Sequence, residues 1–591
     1  MHILGLSFFY HDSAAALLRD GALVAAAEEE RFSRIKHDFG FPDLSIKFCL
    51  EEAGIEAGDL DYVVFYEKPF HKFERILMTG LQAYPRSWRP FGQAMISWFG
   101  DKLWIENLIK TKLGIPNAKI LFADHHVSHA ASAFYPSPFE EAAILTLDGV
   151  GEWTTAAMGK AKGNTISLEN EIRFPHSLGL LYSAFTAFLG FQVNEGEYKV
   201  MGMAPYGKPR YMDKITDNLV KVAADGSFWL NMDYFSFHHS DERTFSRRFA
   251  DLFGAPRDPK MHFFTSETRF PSYFGEKPAD FEAQCRLNEH YADIAASIQK
   301  VTEEIILKLA NDLHRRTGLT KLCMAGGVAL NSVANGRILL ETPFEELFIQ
   351  PAAGDSGAAL GAALHVHHAV LGKPRGFRLE HAYWGKAYGE DEIRTFLESK
   401  GIKHEFVEDD GKLLGRVAED LVAGRVVGWF QGRFEWGPRA LGNRSILADP
   451  RSELMKDTVN IKIKFREPFR PFAPVILENR TADYFEGSNI AGQYPARYML
   501  LVLPLKKDKA DSVSAVNHMG TGRLQTVRRE WNPRYHDIVE RFGQATGVPV
   551  LLNTSFNLRG EPIVTSPENA FNTFSKSGID VLVLERFMVR K

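Results

Sequence analysis

AILTLDGVGEWTTAAM, residues 143–158, is the stretch on which the fold reading turns. An apolar run at 143–147 meets the small-residue turn Asp148-Gly149-Val150-Gly151, and a second apolar run follows at 154–158. Two buried strands joined by a tight turn give this pattern. The chain opens the same way: ILGLS at 3–7, an apolar run at 14–18, the hairpin signal Asp20-Gly21, and a further run at 22–27. The same supersecondary unit, once at the start and once mid-chain, predicts a duplicated α/β lobe.

Working outward, residues 291–317 carry strong helical spacing and lead into a third apolar-plus-glycine element, KLCMAGGVALN at 321–331. PAAGDSGAALGAA at 351–363 opens a helix with small residues, which lets N-terminal amides approach a phosphate or nucleotide. Gly326, Gly327, Asn331 and Gly357 are therefore candidate nucleotide contacts. Between 372 and 385 the composition turns to Gly, Pro and basic residues without apolar periodicity. That places a boundary, with one domain at 1–375 and a second α/β domain at 376–591, the latter with strands at 425–430 and 549–552. Residues 233–278, rich in Phe, His and Arg, read as an insertion, either a lid or an acceptor-binding element.

A chain of 591 residues is too long for one core. Its 45% hydrophobic and 24% charged residues are ordinary for a globular protein. A net charge of -4 supplies no global positive field for nucleic acid. Cys49, Cys285 and Cys323 are sparse and far apart, which suits a reducing compartment. No apolar run nears the ~18–20 residues that span a bilayer. The first residues run straight into strand-like sequence without a basic leader. A cytoplasmic protein with neither nucleic acid nor membrane as partner is expected.

DHHVSHAASAF at 124–134 contains an HxxxH. On a helix, positions i and i+4 share a face, so His125 and His129 can reach one metal ion while His126 points elsewhere. A hydrogen-bonded histidine pair on a helix face is the alternative reading. Asp148 ends an apolar strand and Asp355 sits at a glycine-flanked turn, where a carboxylate needs a partner; a plain turn or N-cap role is the alternative for each. Together they form a two-histidine, two-aspartate set without thiolate. Such N and O donors suit Fe(II), the first expectation, or Mn(II) or Zn(II), with an open position.

HxxxHxxSAF, LTLDGxGE, GEYKVMGMAPYG, AGGVALN and GDSGAALGAA follow one another in this order. GRFEWGPRALGNRS, KFREPFRPFAP, GTGRLQTV and LLNTSFNLRGEPIV continue it to the end. The ordered set resembles the NodU/CmcH carbamoyltransferase family over nearly the whole chain. The resemblance implies an actin/sugar-kinase/chaperone-ATPase-like lobe, similar to the tRNA threonylcarbamoyl transferases, followed by a YrdC-like α/β domain. It implies that the second domain makes carbamoyl-adenylate from carbamoyl phosphate and ATP with Mg2+. The metal-containing lobe then receives this intermediate and passes the carbamoyl group to a hydroxyl of a small acceptor. Antibiotic, sugar and lipo-oligosaccharide hydroxyls are all typical of such a family, and the acceptor stays open. A homodimer is the default oligomeric expectation.

The C-terminal residues suit that chemistry on their own terms. Carbamoyl phosphate, ATP and pyrophosphate are polyanions, and their site needs fixed cations and amides. Arg433, Arg439 and Arg444 lie in one glycine-punctuated loop, and Lys464, Arg466 and Arg470 fall within seven residues, all interleaved with aromatics. A solvated basic face is the alternative. By resemblance, Lys464-Phe465-Arg466 and Ser555-Phe556-Asn557 match the KxR and SxN of the YrdC family. Lys464, Arg466, Asn553, Ser555 and Asn557 are thereby assigned to nucleotide and carbamoyl phosphate binding, Arg439, Arg470 and Arg523 to phosphate, and Arg433 alongside them. In the first lobe, His11 is the candidate base toward the acceptor hydroxyl, since an imidazole titrates near neutrality; a His-Asp turn pair is the alternative. Lys36 is a candidate contact to the carbamoyl or phosphate group, and Glu197 and Lys199 are placed near the acceptor. Two other functions compete: a tRNA threonylcarbamoyl transferase with a fused activation domain, and a non-catalytic ATP-binding regulatory or chaperone-like protein.

Overall fold

Alternating small and branched apolar residues put three strands at the start: β1 His2–Ser7, β2 Ala14–Arg19 and β3 Ala22–Glu28. The turn between β2 and β3 takes Asp20 at φ 52° and Gly21 at φ 84°, both left-handed, as a two-residue hairpin of this twist requires. β4 Tyr62–Phe65 and β5 Lys119–Phe122 complete a sheet ordered β3-β2-β1-β4-β5. β1 runs antiparallel to β2 and parallel to β4. Identification of the structure is as a computed structural model; it describes residues 1–591 except Arg269 and Phe465, and except the side chains of Ser272 and Lys464. The role expected of Lys464 therefore lies outside the described residues.

The pattern recurs. β6 Glu141–Leu147, β7 Thr154–Lys162 and β8 Thr165–Arg173 form a second antiparallel run. A small ribbon, β9 Val220–Val222 and β10 Phe228–Leu230, lies apart from it. β11 Lys321–Ala325 then pairs parallel to β6, and β12 Glu346–Phe348 parallel to β11, giving the order β12-β11-β6-β7-β8. Read from β8 to β12, this repeats the first sheet strand for strand. The duplicated lobe expected from residues 3–27 and 143–158 is thus present as topology.

Glycines set the packing of these sheets on their helices. A Cβ on Gly5 of β1 would stand 1.9 Å from the Ala359 carbonyl oxygen in the helix Asp355–His365. A Cβ on Gly361, in that same helix, would stand 1.9 Å from the Ser128 carbonyl oxygen in the helix His125–Phe134. The small residues of GDSGAALGAA thus let one helix approach both a strand and another helix at backbone distance. The predicted 291–317 helix extends over Phe281–Thr317. It ends on Gly318 at φ 68°, with His314, Arg315 and Arg316 in its last turn opposite the helix dipole.

By internal contacts the chain divides into two units. The first holds Met1–Ala26, Phe39–Glu267 and Asp280–Arg378; the second holds Ala27–Asp38, Thr268–Ala279 and Leu379–Lys591. The division is therefore not a single cut near residue 376. Ala27–Asp38 joins the second unit because Arg34 donates to the carbonyls of Ile563 (2.6 Å) and Pro562 (2.7 Å), and the Gly437 amide donates to Glu28 (2.7 Å).

The second unit is built on nine strands: β13 Glu405–Phe406, β14 Val427–Phe430, β15 Arg444–Ala448, β16 Ala473–Leu477, β17 Leu501–Pro504, β18 Thr521–Val527, β19 Val550–Ser555, β20 Val581–Leu584 and β21 Phe587–Arg590. Their order is β13-β21-β20-β14-β15-β19-β16-β18-β17, with parallel and antiparallel pairs mixed. One face buries Trp429, Leu447, Val475 and Leu551 under Leu413, Val417, Ile538 and Phe542 of two helices. Among the described residues no helix is long and apolar enough to cross a membrane.

Candidate active site

His125 begins the helix His125–Phe134, and its backbone N–H needs an acceptor that the helix cannot supply. Glu152 provides it, taking the His125 amide at 3.0 and 3.2 Å and the Lys68 amide at 2.8 Å. One turn later His129 rises on the same face, and its Nε2 lies 3.0 Å from the Nε2 of His125. Asp148, at the end of β6, brings Oδ2 to 3.0 Å from His125 and 3.8 Å from His129. Asp355, the first residue of its helix, brings Oδ1 to 3.4 Å from His129 and 3.7 Å from His125. Four donor atoms from two helices and one strand end thus face a common point within 4.8 Å of one another.

The donor set fits a divalent ion on three counts. Metal bonds of about 2.0–2.2 Å put neighbouring donors roughly 2.8–3.6 Å apart at right to tetrahedral angles; the closer separations here match, and the others are slightly longer. Two imidazole Nε2 atoms that face each other cannot both use a lone pair on the other, whereas one ion takes both. Charge is the third count. Asp148, Asp355, Glu67 and Glu152 are buried together with Lys72 and Arg75. Four carboxylates against two cations leave two negative charges, which one divalent ion neutralises. Protons on the histidines serve the same balance. Burial alone would lower both imidazoles, but the hydrogen bond to Asp148 and the charge of Asp355 hold His125 well above its ordinary range, and His129 is raised in the same way.

The surroundings orient these donors. The Asp148 Oδ1 accepts the Gly327 amide at 2.9 Å. Gly326 makes this possible with φ 95°, since a Cβ there would stand 2.2 Å from the Leu147 carbonyl oxygen. Gly326 and Gly327 therefore close on β6. Asn331 caps the following helix through Ala334 (3.1 Å), and the space beside Gly357 is filled by Gln350 and the Ala352 carbonyl. Tyr66 donates to Asp355 at 3.4 Å, and Glu67 lies 3.8 Å from His125 Nδ1 while holding Lys72 at 2.6 Å. His126 turns away, donating from Nε2 to the Thr154 carbonyl (2.9 Å). Burial and its two charged neighbours push it down to about 3, so it stays neutral.

His11 differs from the expected base. Nδ1 meets the Asp12 carboxylate at 2.7 Å and Nε2 donates to the Asn194 carbonyl at 3.0 Å. Burial would lower it, but the Asp12 hydrogen bond and charge raise it to about 9. With acceptors at both nitrogens, His11 is an imidazolium at neutral pH and holds a proton. Glu197 takes part indirectly, accepting from Ser183 (2.8 Å) and from the Asn194 amide (3.0 Å), which fixes the turn that His11 binds. Lys199 lies over the Phe191 ring at 5.5 Å. Lys36 belongs to the segment Ala27–Asp38 of the second unit.

In the second unit the sheet gathers several predicted residues. Arg523 and Gln525 stand two apart on β18, and Asn553 and Ser555 two apart on β19, so each pair shares a face. Asn553 donates to Gln525 at 2.6 Å and to the Ala440 carbonyl at 3.0 Å, and Gln525 donates to the Leu441 carbonyl at 2.9 Å. These bonds draw the 432–443 loop, and with it Arg439, across that face. The Asn553 Oδ1 is buried without a hydrogen-bond partner. Ser555 donates to Asn557 at 2.7 Å, and Asn557 to the Glu561 carbonyl at 2.6 Å. Arg466 bonds Asn460 (3.1 Å) with its guanidinium 4.2 Å from the Phe472 centroid, and Arg470 lies 3.6 Å from Glu467. Arg433 and Arg444 do other work. Arg433 donates to the carbonyls of Gly385 (2.8 Å) and Trp384 (2.9 Å). Arg444, fully buried, donates to Gln431, Asn443 and Gly432 carbonyls and packs 3.6 Å from the Phe430 centroid.

The family model of the carbamoyltransferase N-terminus matches residues 2–364, and that of the carbamoyltransferase C-terminus matches residues 418–591. The chain belongs to the carbamoyltransferase family. An uncharacterised protein of Synechocystis is 48% identical, covering 100% of this chain and 97% of its own length. Nodulation protein NolNO of Sinorhizobium fredii is 36% identical over 99% of this chain and 79% of its own length. Nodulation protein NolO of Bradyrhizobium diazoefficiens is 36% identical over 79% of each chain.

For this carbamoyltransferase, sequence reasoning missed Glu67, Lys72, Arg75, Glu152 and, in the second unit, Gln525 and Lys456. Glu152 and Gln525 lie within quoted motifs, LTLDGxGE and GTGRLQTV, and so carried a signal. Lys456 did not: burial, then the neighbouring charge of Arg466, brings its ammonium down to about 8.

Proposed function

We propose that this carbamoyltransferase is an ATP-dependent O-carbamoyltransferase acting in the cytoplasm on the hydroxyl of a small molecule. In the second unit, water cleaves carbamoyl phosphate to carbamate and phosphate. A carbamate oxygen then attacks the α-phosphorus of Mg2+-bound ATP, forming carbamoyl-adenylate and releasing pyrophosphate. Arg439, Lys464, Arg466, Arg470 and Arg523 carry the phosphate charge, and Asn553, Ser555 and Asn557 orient the ligand. In the first unit, the acceptor oxygen attacks the carbamoyl carbon, the bond from that carbon to the adenylate oxygen breaks to release AMP, and the hydroxyl proton passes to the departing phosphate or to water. A divalent metal held by His125, His129, Asp148 and Asp355 would supply Lewis-acid polarisation. His11, as an imidazolium, would stabilise charge on the departing phosphate or protonate it; Lys36 would be a cation for carbamoyl or phosphate in the second unit, to which its segment belongs. The observation that carries this reading is the convergence of two histidines and two aspartates in a chain matched at both ends by carbamoyltransferase family models. The test is exchange of labelled pyrophosphate into ATP. Exchange that needs carbamoyl phosphate is expected; none at all would refute the adenylate route.

A further inference from the structure

Arg75, in the helix Pro69–Gln82, is buried to 7% exposure beside the metal-ligand cluster. Among the described residues it forms no ion pair and no hydrogen bond, and its Nε is enclosed without a partner. Its guanidinium carbon lies 5.0 Å from the centroid of the Phe174 ring. An enclosed guanidinium Nε–H without an acceptor is costly, and among the described residues the terminal nitrogens have no protein acceptor, so the site fits a group that arrives from outside. Glu67 and Glu152 act on it only through space, and Glu67 is already held by Lys72.

Two more cations share this corner. Lys72 lies 4.3 Å from the Tyr10 ring centroid, and Lys102 donates to the Phe9 carbonyl at 3.4 Å. With a divalent ion on the aspartates, the four carboxylates, the ion, Lys72, Arg75 and Lys102 leave one positive charge, room for one anionic group. Phe174 offers a flat apolar wall beside it.

We propose that Arg75 recognises an oxyanion, phosphate or carboxylate, on a ligand of the first unit. Accordingly the site favours anionic or neutral acceptors over polycationic ones. This rests on reading the first unit as the transfer site. Two sources share the chemistry: an anionic group on the acceptor, and the phosphate of the adenylate. Isothermal titration of the metal-loaded full chain with glycerol 3-phosphate, glycerate, glycerol, serinol and AMP separates them, on parent, Arg75→Met and Arg75→Lys proteins. The parent is expected to bind anionic probes best and serinol worst. Arg75→Met should weaken anionic binding by about 10- to 100-fold, the worth of a charged hydrogen bond, with glycerol unchanged. Arg75→Lys, which keeps the charge and guards against a folding failure of the Met variant, should recover part of it. Loss confined to one equivalent of AMP assigns the oxyanion to the adenylate; loss for glycerol 3-phosphate and glycerate assigns it to the acceptor. Equal affinities for every probe in parent and Arg75→Met would overturn the proposal and leave Arg75 as a counter-charge to Glu67 and Glu152. If probes bind as expected but no probe alcohol is ever carbamoylated, it is the transfer reading that fails.

Discussion

Gly361→Ala should empty the metal site without touching a ligand. The added Cβ would stand 1.9 Å from the Ser128 carbonyl oxygen, 2.7 Å from the Ser132 amide nitrogen and 2.8 Å from the Ser132 Cβ. Carbon–oxygen contacts of this kind settle at about 3.3–3.6 Å, so the two helices must part by roughly 1.4 Å. Those helices carry His125 and His129 on one side and Asp355 on the other. Metal sites tolerate donor displacements of only about 0.2 Å, so the parting exceeds the tolerance several-fold. Overpacking should also cost about 1–3 kcal/mol of stability. Gly159→Ala is the control: its Cβ would stand 1.9 Å from the Ser167 carbonyl oxygen, in the β7–β8 pair away from the ligands. Both variants should melt several degrees lower. Elemental mass spectrometry after gel filtration and reloading should find metal in parent and Gly159→Ala but not in Gly361→Ala. Full metal occupancy in Gly361→Ala, or equal loss in both, would refute the argument that glycine-set helix spacing builds the site.

His129→Ala should lose bound metal and carbamoyl transfer while carbamoyl-phosphate-dependent pyrophosphate exchange continues; unchanged metal content would remove His129 from the ligand set. Arg470→Ala and Lys464→Ala should lose exchange yet still transfer from added carbamoyl-adenylate, and normal exchange would make the basic run a solvated face. His11→Ala should keep metal and exchange but slow transfer by about 100- to 10,000-fold at saturating acceptor. Its pH signature follows from the raised imidazole: held at about 9 against an ordinary 6.5, His11 contributes stability fully present below 6.5 and lost as pH rises through 9. Asp12→Asn should therefore destabilise the protein in denaturant at about pH 6 and make little difference at about pH 10; the reverse order would show that the imidazolium is not held by Asp12.

Local chemistry made much of this legible. The strand–turn–strand units at 3–27 and 143–158 are encoded in apolar runs and left-handed turn residues, which act over a few positions, and both lobes formed where the runs fall. HxxxH fixed the shared face of His125 and His129 because helical geometry is itself local, and the same geometry sent His126 elsewhere. Arg433 and Arg444 were less readable. Arg433 lies in a basic, glycine-punctuated loop and Arg444 opens the strand after it, and only the path of the chain shows that Arg444 serves carbonyls at the two ends of that loop while Arg439 is drawn over β18 and β19.

By itself, the sequence determined the elements, their duplication and the identity of the four facing donors, because helix and strand periodicity and turn stereochemistry depend on near neighbours. Tertiary structure alone decided which charges surround those donors. Glu67, Lys72 and Arg75 lie 50 to 58 positions before His125 and 73 to 81 before Asp148, and no spacing rule connects them to those ligands. Likewise the proton on His11 depends on the Asn194 carbonyl, 183 residues away. Burial makes each of these charges costly unless the fold brings a partner, and that partner is chosen in space, not along the chain.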